Sequence, residues 1–372
     1  MAIAITPKHM HAALEVGQIY RGHTWPNPAV GCVLVKNGEV IAIGCTQEGG
    51  RPHAEMDALT HAGSKARGAT AYITLEPCNH TSPTKPLSCC DALIAAGVSA
   101  VVVGMIDPDP RMMGKSIRKL RAAGLDVALE PHFDAAYAAH VGYYTRCVLG
   151  RPRVVLKLAH SRDGKLGLPG HRTPISSQDS WQRNFLERSK VDAVMIGIGT
   201  AITDDPQLTD RRADVHRQPI RIIVDSHARL PLDSKLVKGV KDAPVWLLCA
   251  QNANTEKLAA AGVRIIPCPA PGGKIDMPAA LKILGDIGLN AILAEGGAML
   301  AADLLAHKLV DEALIVEGTF DVGKGGIDMP KIDMQLRVTE KIGGDLWRVY
   351  DSAAALDLMR AFFSKSQKFL AE

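Results

Sequence analysis

The chain has 372 residues, of which 47% are hydrophobic and 22% are charged, and its formal net charge is +4. This length exceeds that of a typical single domain and predicts two cores, and the composition excludes a disordered chain. The small net charge and the aromatic content of 4% argue against a nucleic-acid-binding protein, which needs clustered cations and stacking rings.

The N-terminus and the cysteines bear on where the protein works. Residues 1–11 lack a basic segment followed by a long apolar core, so we expect no signal peptide. No apolar run approaches the length that spans a bilayer, so we expect no membrane partner. The eight cysteines are scattered along the chain, which is typical of a reducing compartment. We therefore expect a cytoplasmic protein.

The first part of the chain alternates helix and strand signals, which predicts an α/β layer fold. The helix signals lie at 7–18, 52–62, 88–96, 115–123 and 133–144. The strand signals lie at 31–35, 39–43, 69–75, 99–105 and 125–129. An Asn-Gly turn joins the first two strands as a hairpin.

Gly150-Arg151-Pro152 marks the expected domain boundary, because proline disfavours a helical conformation in the residue before it. We therefore expect a first domain at 1–149 and a second domain at 150–372. Strand signals in the second domain lie at 153–159, 193–198, 220–224, 245–249, 263–266, 291–294 and 313–316, and a helix signal lies at 299–306. Beyond about Lys331 the pattern is less clear.

Residues that could bind a metal lie at three places in the first domain. His53-Ala54-Glu55 begins a helix, Glu76-Pro77-Cys78 ends a strand, and Cys89-Cys90 opens another helix. One imidazole and two thiolates leave the fourth position of a tetrahedral zinc ion open to water, whose pKa the metal lowers to about 7. A carboxylate nearby that is not a ligand can shuttle protons, as in zinc deaminases. Singly, each residue would be an ordinary core or helix-start residue, but the ordered set predicts zinc.

Two glycine-bearing turns in the second domain are candidates for binding a cofactor phosphate. Residues 197–200 and 295–298 each lie between a predicted strand and a helix, where backbone N–H groups are exposed. Each turn alone is a weak signal, since glycines end many strands for steric reasons. The Gly-x-Gly-x-x-Gly fingerprint is absent, which argues against a Rossmann fold.

Motifs along nearly the whole chain resemble those of the bifunctional riboflavin biosynthesis proteins. The deaminase half of that family is similar to the chain at 27–32, 53–55, 74–78 and 89–97. The reductase half is similar to it at 156–165, 192–200, 204–209, 222–226 and 295–297. The resemblance implies a cytidine-deaminase-like α/β/α domain followed by a dihydrofolate-reductase-like α/β domain. It also implies Zn²⁺ and NADPH as cofactors and a homo-oligomer.

The same resemblance implies the activities and the residues that carry them. The family deaminates a diaminohydroxyphosphoribosylaminopyrimidine and then reduces the ribosyl side chain to ribityl. The zinc ligands implied are His53, Cys78 and Cys89, with Glu55 as the proton shuttle. The substrate-binding residues implied are Asn27, His80, Lys85, Lys157, Arg188, Leu208, Arg211 and Glu295. The NADPH-binding residues implied are Ala159, Thr200, Asp204, Ser226, Gly297, Ala298 and Met299.

The chain also departs from the family pattern, and the departures leave alternatives open. Its zinc loop is longer, so Cys90 competes with Cys89 as the third ligand, and Thr46 stands where the family has a histidine. These two changes favour a related phosphorylated aminopyrimidine as an alternative substrate. The family has a tryptophan in Ser-x-Trp-Ile-Thr, whereas residues 172–176 hold no aromatic residue, which favours an active deaminase with an impaired reductase domain. A nucleic-acid-editing deaminase is disfavoured by the charge, the few aromatic residues and the second domain.

Overall fold

The computed structural model of the chain describes residues 6–81, 86–129, 133–212, 215 and 217–371. It consists of two compact units, one formed by Met1–Leu149 with Leu358–Glu372 and the other by Gly150–Asp357. The end of the chain thus belongs to the first unit, although the sequence-based division placed all residues after 149 together. Within the described residues, no helix has the length and apolar character needed to cross a membrane.

The first unit is built on a five-stranded sheet. Its strands are β1 (Gly31–Lys36), β2 (Glu39–Cys45), β3 (Thr70–Ile73), β4 (Ala100–Val103) and β5 (Asp126–Leu129). Their order is β2-β1-β3-β4-β5, in which β2, β1 and β3 are antiparallel and β3, β4 and β5 are parallel. Its helices are α1 (Pro7–Gly17), α2 (Ala54–Ala62), α3 (Cys89–Ala95), α4 (Lys115–Ala122) and α5 (Phe133–Leu149).

Helix α2 lies directly on the hairpin of β1 and β2, which fixes the direction in which its first turn points. Its alanines face the sheet and are fully buried. A Cβ atom on Gly44 of β2 would lie 2.3 Å from the nitrogen of Ala58 and 2.4 Å from the carbonyl oxygen of Ala54. Only glycine permits this approach. The close packing sets the position of His53 and Glu55 at the helix start.

The second unit is built on a nine-stranded sheet. Its strands are β6 (Arg153–His160), β7 (Ala193–Gly197), β8 (Ile220–Val224), β9 (Val245–Ala250), β10 (Arg264–Cys268), β11 (Ala291–Glu295), β12 (Glu312–Glu317), β13 (Gln335–Ile342) and β14 (Asp345–Asp351). Their order is β10-β9-β8-β7-β11-β6-β12-β14-β13. All neighbours from β10 to β12 are parallel, and β14 and β13 continue the sheet in antiparallel pairs.

The helices of the second unit follow its strands, as expected for parallel neighbours that need a crossover connection. They are α6 (Gln178–Ser189), α7 (Ile198–Asp204), α8 (Lys235–Lys238), α9 (Glu256–Ala260), α10 (Met277–Ile287) and α11 (Ala298–Ala306). Helix α12 (Ala353–Ala371) begins in this unit and ends among the residues of the first. The predicted elements are present, with ends that differ by a few residues. The structure adds α6 to α10, α12, β13 and β14, which the sequence analysis did not predict.

Candidate active sites of the two units

Three side chains from separate elements of the first unit converge beside the start of α2. His53 immediately precedes α2, Cys78 follows β3, and Cys89 is the first residue of α3. His53 Nδ1 lies 3.5 Å from Cys89 Sγ, and the Cys89 backbone N–H donates a hydrogen bond to Cys78 Sγ at 3.3 Å. The ligand atoms of all three residues lie within 4.8 Å of one another.

This donor set fits a zinc ion. Two ligands of one tetrahedral zinc ion are expected about 3.5 Å apart, given the usual Zn–N and Zn–S bond lengths. Among the described residues, the buried Nε2 atom of His53 has no hydrogen-bond partner. The other ring nitrogen, Nδ1, is the one that faces the sulfur of Cys89. One nitrogen and two sulfurs leave a fourth zinc position open, which is the arrangement of catalytic sites.

Glu55 lies in the first turn of α2 and is 3% exposed. Burial raises the pKa of its carboxyl and the neighbouring Cys78 raises it further, whereas the charge of His53 and a hydrogen bond from Cys89 act in the opposite direction. All three candidate ligands are therefore close enough to affect this one carboxyl. A buried carboxyl with a raised pKa beside an open metal position is suited to accepting and releasing a proton.

Cys90 points away from this group. Its thiol lies in the hydrophobic core with Leu93 and Ile117, 3.9 Å from the carbonyl oxygen of Ser116, and burial raises its pKa to about 11. Cys89 instead packs with Cys78 and Met112. The structure therefore brings Cys89, and not Cys90, together with His53.

Glu76 is an anchor for the loop beside the site, a role that the sequence did not suggest. Its buried carboxylate accepts hydrogen bonds from the backbone N–H groups of Asp107, Gly114 and Ser116 at 3.1, 2.8 and 3.0 Å. These bonds hold the loop that places Met112 against the two cysteines.

The structure gives less information on the residues predicted to bind the pyrimidine. Asn27 donates a hydrogen bond to the carbonyl oxygen of Gly50 at 2.9 Å, three residues before His53. His80 is exposed, and Lys85 lies outside the described residues. Thr46, where the family has a histidine, is 2% exposed and accepts a hydrogen bond from the Val30 N–H at 3.0 Å. Its hydroxyl therefore ties the residue after β2 to the residue before β1.

A cleft of about 620 Å³ lies in the second unit. Residues of β6, β7, β11, α6 and α7 contribute to its wall. The predicted cofactor and substrate residues that line it are Lys157, Ala159, Arg188, Thr200, Asp204, Leu208, Arg211, Glu295 and Gly297. The structure therefore gathers residues separated by up to 140 positions into one cavity.

Arg188 and Glu295 form a buried pair in the wall of this cleft. Arg188 Nε and Nη2 donate to the two carboxylate oxygens of Glu295 at 2.6 and 2.8 Å, and Arg188 Nη1 donates to the Thr209 carbonyl at 2.8 Å. Burial alone would raise the pKa of Glu295, but the charge and hydrogen bonds of Arg188 hold it below its ordinary value. Burial lowers the pKa of Lys157, and the charge of Glu295 opposes that shift. Glu295 is therefore a fixed carboxylate among cations.

The turn after β11 adds backbone without side chains to the wall of the cleft. Gly296 and Gly297 have φ values of 63° and 79°, and a Cβ atom on Gly297 would lie 2.8 Å from Thr200 Oγ1. Burial raises the pKa of Asp204, and the charge of Arg172 opposes that shift. A backbone without side chains before α11, next to a hydroxyl and a carboxyl, fits the phosphates and hydroxyls of a dinucleotide.

Three residues predicted for the cofactor do not line this cleft. Ser226 Oγ accepts a hydrogen bond from the Ile275 N–H at 3.2 Å. Ala298 and Met299 form the first turn of α11, and Met299 is 80% exposed. Within the described residues, their side chains therefore lie outside the cavity.

The cleft also contains side chains that the sequence analysis missed. Trp181 and Phe185 line it from α6, and Arg172 and Lys235 add cations. The helical spacing of Trp181, Phe185 and Arg188 was the available signal, because residues four and seven positions apart share a helix face. The family pattern instead places its aromatic residue within positions that correspond to 172–176, which hold none in this chain.

Two known protein families match separate parts of the chain. The RibD C-terminal domain family matches residues 152–347. The family described as the cytidine and deoxycytidylate deaminase zinc-binding region matches residues 5–105, which include His53, Cys78 and Cys89.

Curated and solved relatives are similar over most of the chain. The riboflavin biosynthesis protein RibD of Aquifex aeolicus is 34% identical over 92% of this chain and 97% of its own, and that of Escherichia coli is 38% identical over 82% and 86%. A structure of Acinetobacter baumannii RibD is 31% identical, with a TM-score of 0.82 over 92% of this chain and 98% of its own. A Thermotoga maritima structure, named a diaminohydroxyphosphoribosylaminopyrimidine deaminase/5-amino-6-(5-phosphoribosylamino)uracil reductase, is 27% identical, with a TM-score of 0.81 over 93% and 98%.

These matches confirm the predicted α/β fold class, with a cytidine-deaminase-like domain followed by a reductase domain. They also confirm the predicted pair of activities and, with them, Zn²⁺ and NADPH as the cofactors. The chain belongs to the RibD family of bifunctional deaminases and reductases of riboflavin biosynthesis.

Proposed function

We propose that the first unit deaminates diaminohydroxyphosphoribosylaminopyrimidine and that the second unit reduces the resulting 5-amino-6-(5-phosphoribosylamino)uracil with NADPH. A small phosphorylated pyrimidine is the substrate of RibD enzymes, and the name of the Thermotoga maritima relative supports these two compounds. The observation that carries the proposal is the convergence of His53, Cys78 and Cys89 within 4.8 Å beside the buried Glu55.

In the first unit, we assign zinc binding to His53, Cys78 and Cys89 and proton transfer to Glu55. Zinc, when bound, supplies a Lewis acid that lowers the pKa of a water molecule. The Glu55 carboxylate accepts a proton from the attacking water and passes it to the exocyclic amine, which leaves as ammonia while the ring carbon gains an oxygen. Burial of Glu55 keeps bulk water from competing for that proton.

In the second unit, we assign the substrate to Lys157, Arg188, Leu208, Arg211 and Glu295. NADPH, when bound, supplies the hydride that reduces the ribosyl C1. The Glu295 carboxylate accepts hydrogen bonds from ribose hydroxyls, and the guanidinium of Arg211 binds the phosphate. Because Arg188 holds Glu295 by two hydrogen bonds, the carboxylate is oriented before the substrate arrives.

The cofactor is assigned to the other part of the same cleft. Ala159, Thr200, Asp204 and Gly297 line it, and the backbone of residues 296–297 is bare enough for a phosphate to approach. Ser226, Ala298 and Met299 remain assigned by the family resemblance alone, and so do Asn27, His80 and Lys85 for the pyrimidine of the first unit. A location in the cytoplasm and a homo-oligomeric state also stay predictions, the first supported by eight free cysteines.

The two assignments are tested with Glu55→Gln in the full chain. Glutamine preserves the shape of the side chain but cannot accept the proton, so ammonia release from the diaminopyrimidine should fall at least a thousandfold. Zinc content should stay near one per chain, since Glu55 is not a ligand. NADPH oxidation on supplied aminouracil should stay within twofold of the wild type.

The control is Glu295→Gln, which should show the opposite pattern, with intact ammonia release and impaired NADPH oxidation. Loss of both activities in a folded Glu55→Gln variant would contradict the assignment of separate sites. A wild-type protein without stoichiometric zinc would contradict the assignment of the metal ligands.

A further inference from the structure

We propose that Trp181 is the wall against which the planar pyrimidine ring of the reductase substrate stacks. The inference rests on the proposed function of the second unit and assigns a specificity-determining residue to it. It explains how a cleft lined by cations, carboxylates and aliphatic side chains could recognise the flat, uncharged end of the substrate.

Trp181 belongs to the face of α6 that looks into the cleft. Trp181, Phe185 and Arg188 are spaced at i, i+4 and i+7, which places them on one side of the helix. All three line the cavity. The ring centroids of Trp181 and Phe185 are 6.2 Å apart, with an angle of 41° between the planes, so the two rings form a continuous aromatic surface.

The cations around this surface place it on the substrate side of the cleft. The guanidinium groups of Arg188 and Arg211 lie 5.7 and 6.0 Å from the centre of the Phe185 ring. Arg188 is bound to Glu295, the carboxylate assigned to the ribose. A phosphate and a ribose held by these residues leave the attached heterocycle next to the aromatic surface, whose outer member is Trp181.

The start of α6 is held rigidly, which suits a surface that must meet a flat ring. The Ser177 backbone N–H and the Ser180 hydroxyl donate to Asp345 Oδ2 at 2.7 and 2.6 Å. Trp347 Nε1 donates to the Ser180 hydroxyl at 2.8 Å. Because Asp345, Ser180 and Trp347 are at most 2% exposed, the turn that carries Trp181 is fixed to β14 before any ligand binds.

Stacking on an aromatic side chain depends on the ring of the ligand and not on its sugar or phosphate. Removal of the indole should therefore weaken binding of a ligand that has the pyrimidine and leave binding of a ligand without it unchanged. Phenylalanine retains a stacking face and should preserve most of the affinity. The cofactor, on the side of residues 296–297 and Thr200, should be unaffected.

The test uses the full chain with Trp181→Ala, Trp181→Phe and Gln182→Ala, the last being an exposed neighbour on α6 as the control. Steady-state NADPH oxidation with 5-amino-6-(5-phosphoribosylamino)uracil gives kcat and both KM values. We expect the KM for the aminouracil to rise about tenfold in Trp181→Ala and less than threefold in Trp181→Phe. The kcat and the KM for NADPH should stay within twofold, and Gln182→Ala should match the wild type.

Equilibrium binding provides a readout that does not depend on turnover. The aminouracil should quench the tryptophan emission of the wild type, and this quenching should be lost in Trp181→Phe. Ribose 5-phosphate lacks the ring and should bind the wild type and Trp181→Ala with equal affinity, as measured by calorimetry. The proposal would be overturned if Trp181→Ala left the KM for the aminouracil unchanged or raised only the KM for NADPH. It would also be overturned if Trp181→Ala weakened binding of the aminouracil and of ribose 5-phosphate equally. Ring-dependent binding at Trp181 without NADPH oxidation by the wild type would instead refute the proposed reductase function.

Discussion

Cys89 and Cys90 are consecutive residues of α3 with opposite surroundings. Successive helical residues point about 100° apart, so only one of them can face His53. Cys89 Sγ lies 3.5 Å from His53 Nδ1, whereas Cys90 is completely buried among apolar side chains. Burial raises the pKa of Cys90 to about 11, and its sulfur lies at the Ser116 carbonyl and away from His53.

This difference predicts opposite outcomes for two alanine variants. Cys89→Ala should retain less than about 0.2 equivalents of zinc per chain, because one of the three ligands is missing. It should release no ammonia. Cys90→Ala should keep zinc near stoichiometry and lower the stability of the first unit by about 1 kcal/mol, because it leaves a small cavity. Metal analysis and thermal unfolding measure the two effects. Zinc loss in Cys90→Ala would show that the wrong cysteine has been assigned.

The buried carboxyl of Asp107 makes the stability of the first unit depend on pH. It is 6% exposed, and burial raises the pKa of its carboxyl to about 7 although the Asp109 N–H and the Tyr143 hydroxyl donate to it. In the unfolded chain the same group titrates near 3.8. Between these values the folded state binds the proton and the unfolded state does not, so the stability of the fold decreases as the pH rises through this range.

Asp107→Asn should remove that pH-dependent loss, because asparagine retains the acceptor oxygen and carries no charge. The gain in stability should be larger at pH 8.5 than at pH 5.5 by on the order of 1–2 kcal/mol. Urea unfolding of the first unit at the two pH values measures it. Asp109→Asn is the control: hydrogen bonds from Arg111 lower the pKa of Asp109, so the carboxylate is ionised in the folded and unfolded chain at both pH values. This variant should therefore lose the same stability at pH 5.5 and at pH 8.5. An equal effect of Asp107→Asn at both pH values would refute this explanation.

At the scale of elements, the two turns of the cleft differ in how strictly they need glycine. Gly297 has a φ of 79°, and a Cβ atom there would lie 2.8 Å from Thr200 Oγ1. Gly199, inside α7, is exposed, and a Cβ atom there would have no neighbour within 4 Å. A side chain at position 297 would therefore change the surface assigned to the cofactor, whereas a side chain at position 199 would contact nothing.

Gly297→Ala should raise the KM for NADPH at least tenfold, because the added methyl group pushes Thr200 away and strains the backbone. Gly199→Ala is the matched control and should leave that KM within twofold, while its melting temperature should not fall, since alanine favours a helix. Both are measured by NADPH oxidation at saturating aminouracil. The assignment of the cofactor turn fails if the two variants behave alike.

Many of the elements that the sequence predicted have local signals. Ser88 caps α3 by accepting a hydrogen bond from the Asp91 N–H, and the apolar runs of the parallel strands are buried on both faces. The strand β13 has no such signal, because most of its residues are exposed. Its position depends on pairing with β14 and on Arg337, which binds Glu312 and Asp351 at 2.7 and 2.8 Å. Such contacts with distant residues cannot be inferred from a local pattern.

At the scale of the whole chain, the residues of the two sites differ in how far the sequence alone predicts them. The candidate zinc ligands could be selected from the sequence because few residue types bind zinc and their order along the chain is informative. The choice between Cys89 and Cys90 needed the direction of α3, and the role proposed for Trp181 needed the position of α6 in the wall of the cleft. Neither is encoded in residues close in sequence.

The first unit is formed from both ends of the chain, which has consequences for its stability. Leu358–Glu372 belongs to it together with Met1–Leu149. Phe362 of α12 is 4% exposed, and its ring centroid lies 5.3 Å from those of Tyr137 and Tyr144 on α5. The deaminase unit therefore depends on residues that follow those of the reductase unit in sequence.

Phe362→Ala should destabilise the first unit by about 3 kcal/mol, the usual cost of removing a buried phenylalanine ring. On heating the full chain, ammonia release should decay faster than in the wild type, while NADPH oxidation on supplied aminouracil should keep its half-life, because the ring has its partners in the first unit. Ser364→Ala, two positions further along α12 and exposed, should change neither half-life. If Phe362→Ala shortened both half-lives equally, α12 would support the reductase unit as well, and the deaminase could not be regarded as the unit that the C-terminal residues complete.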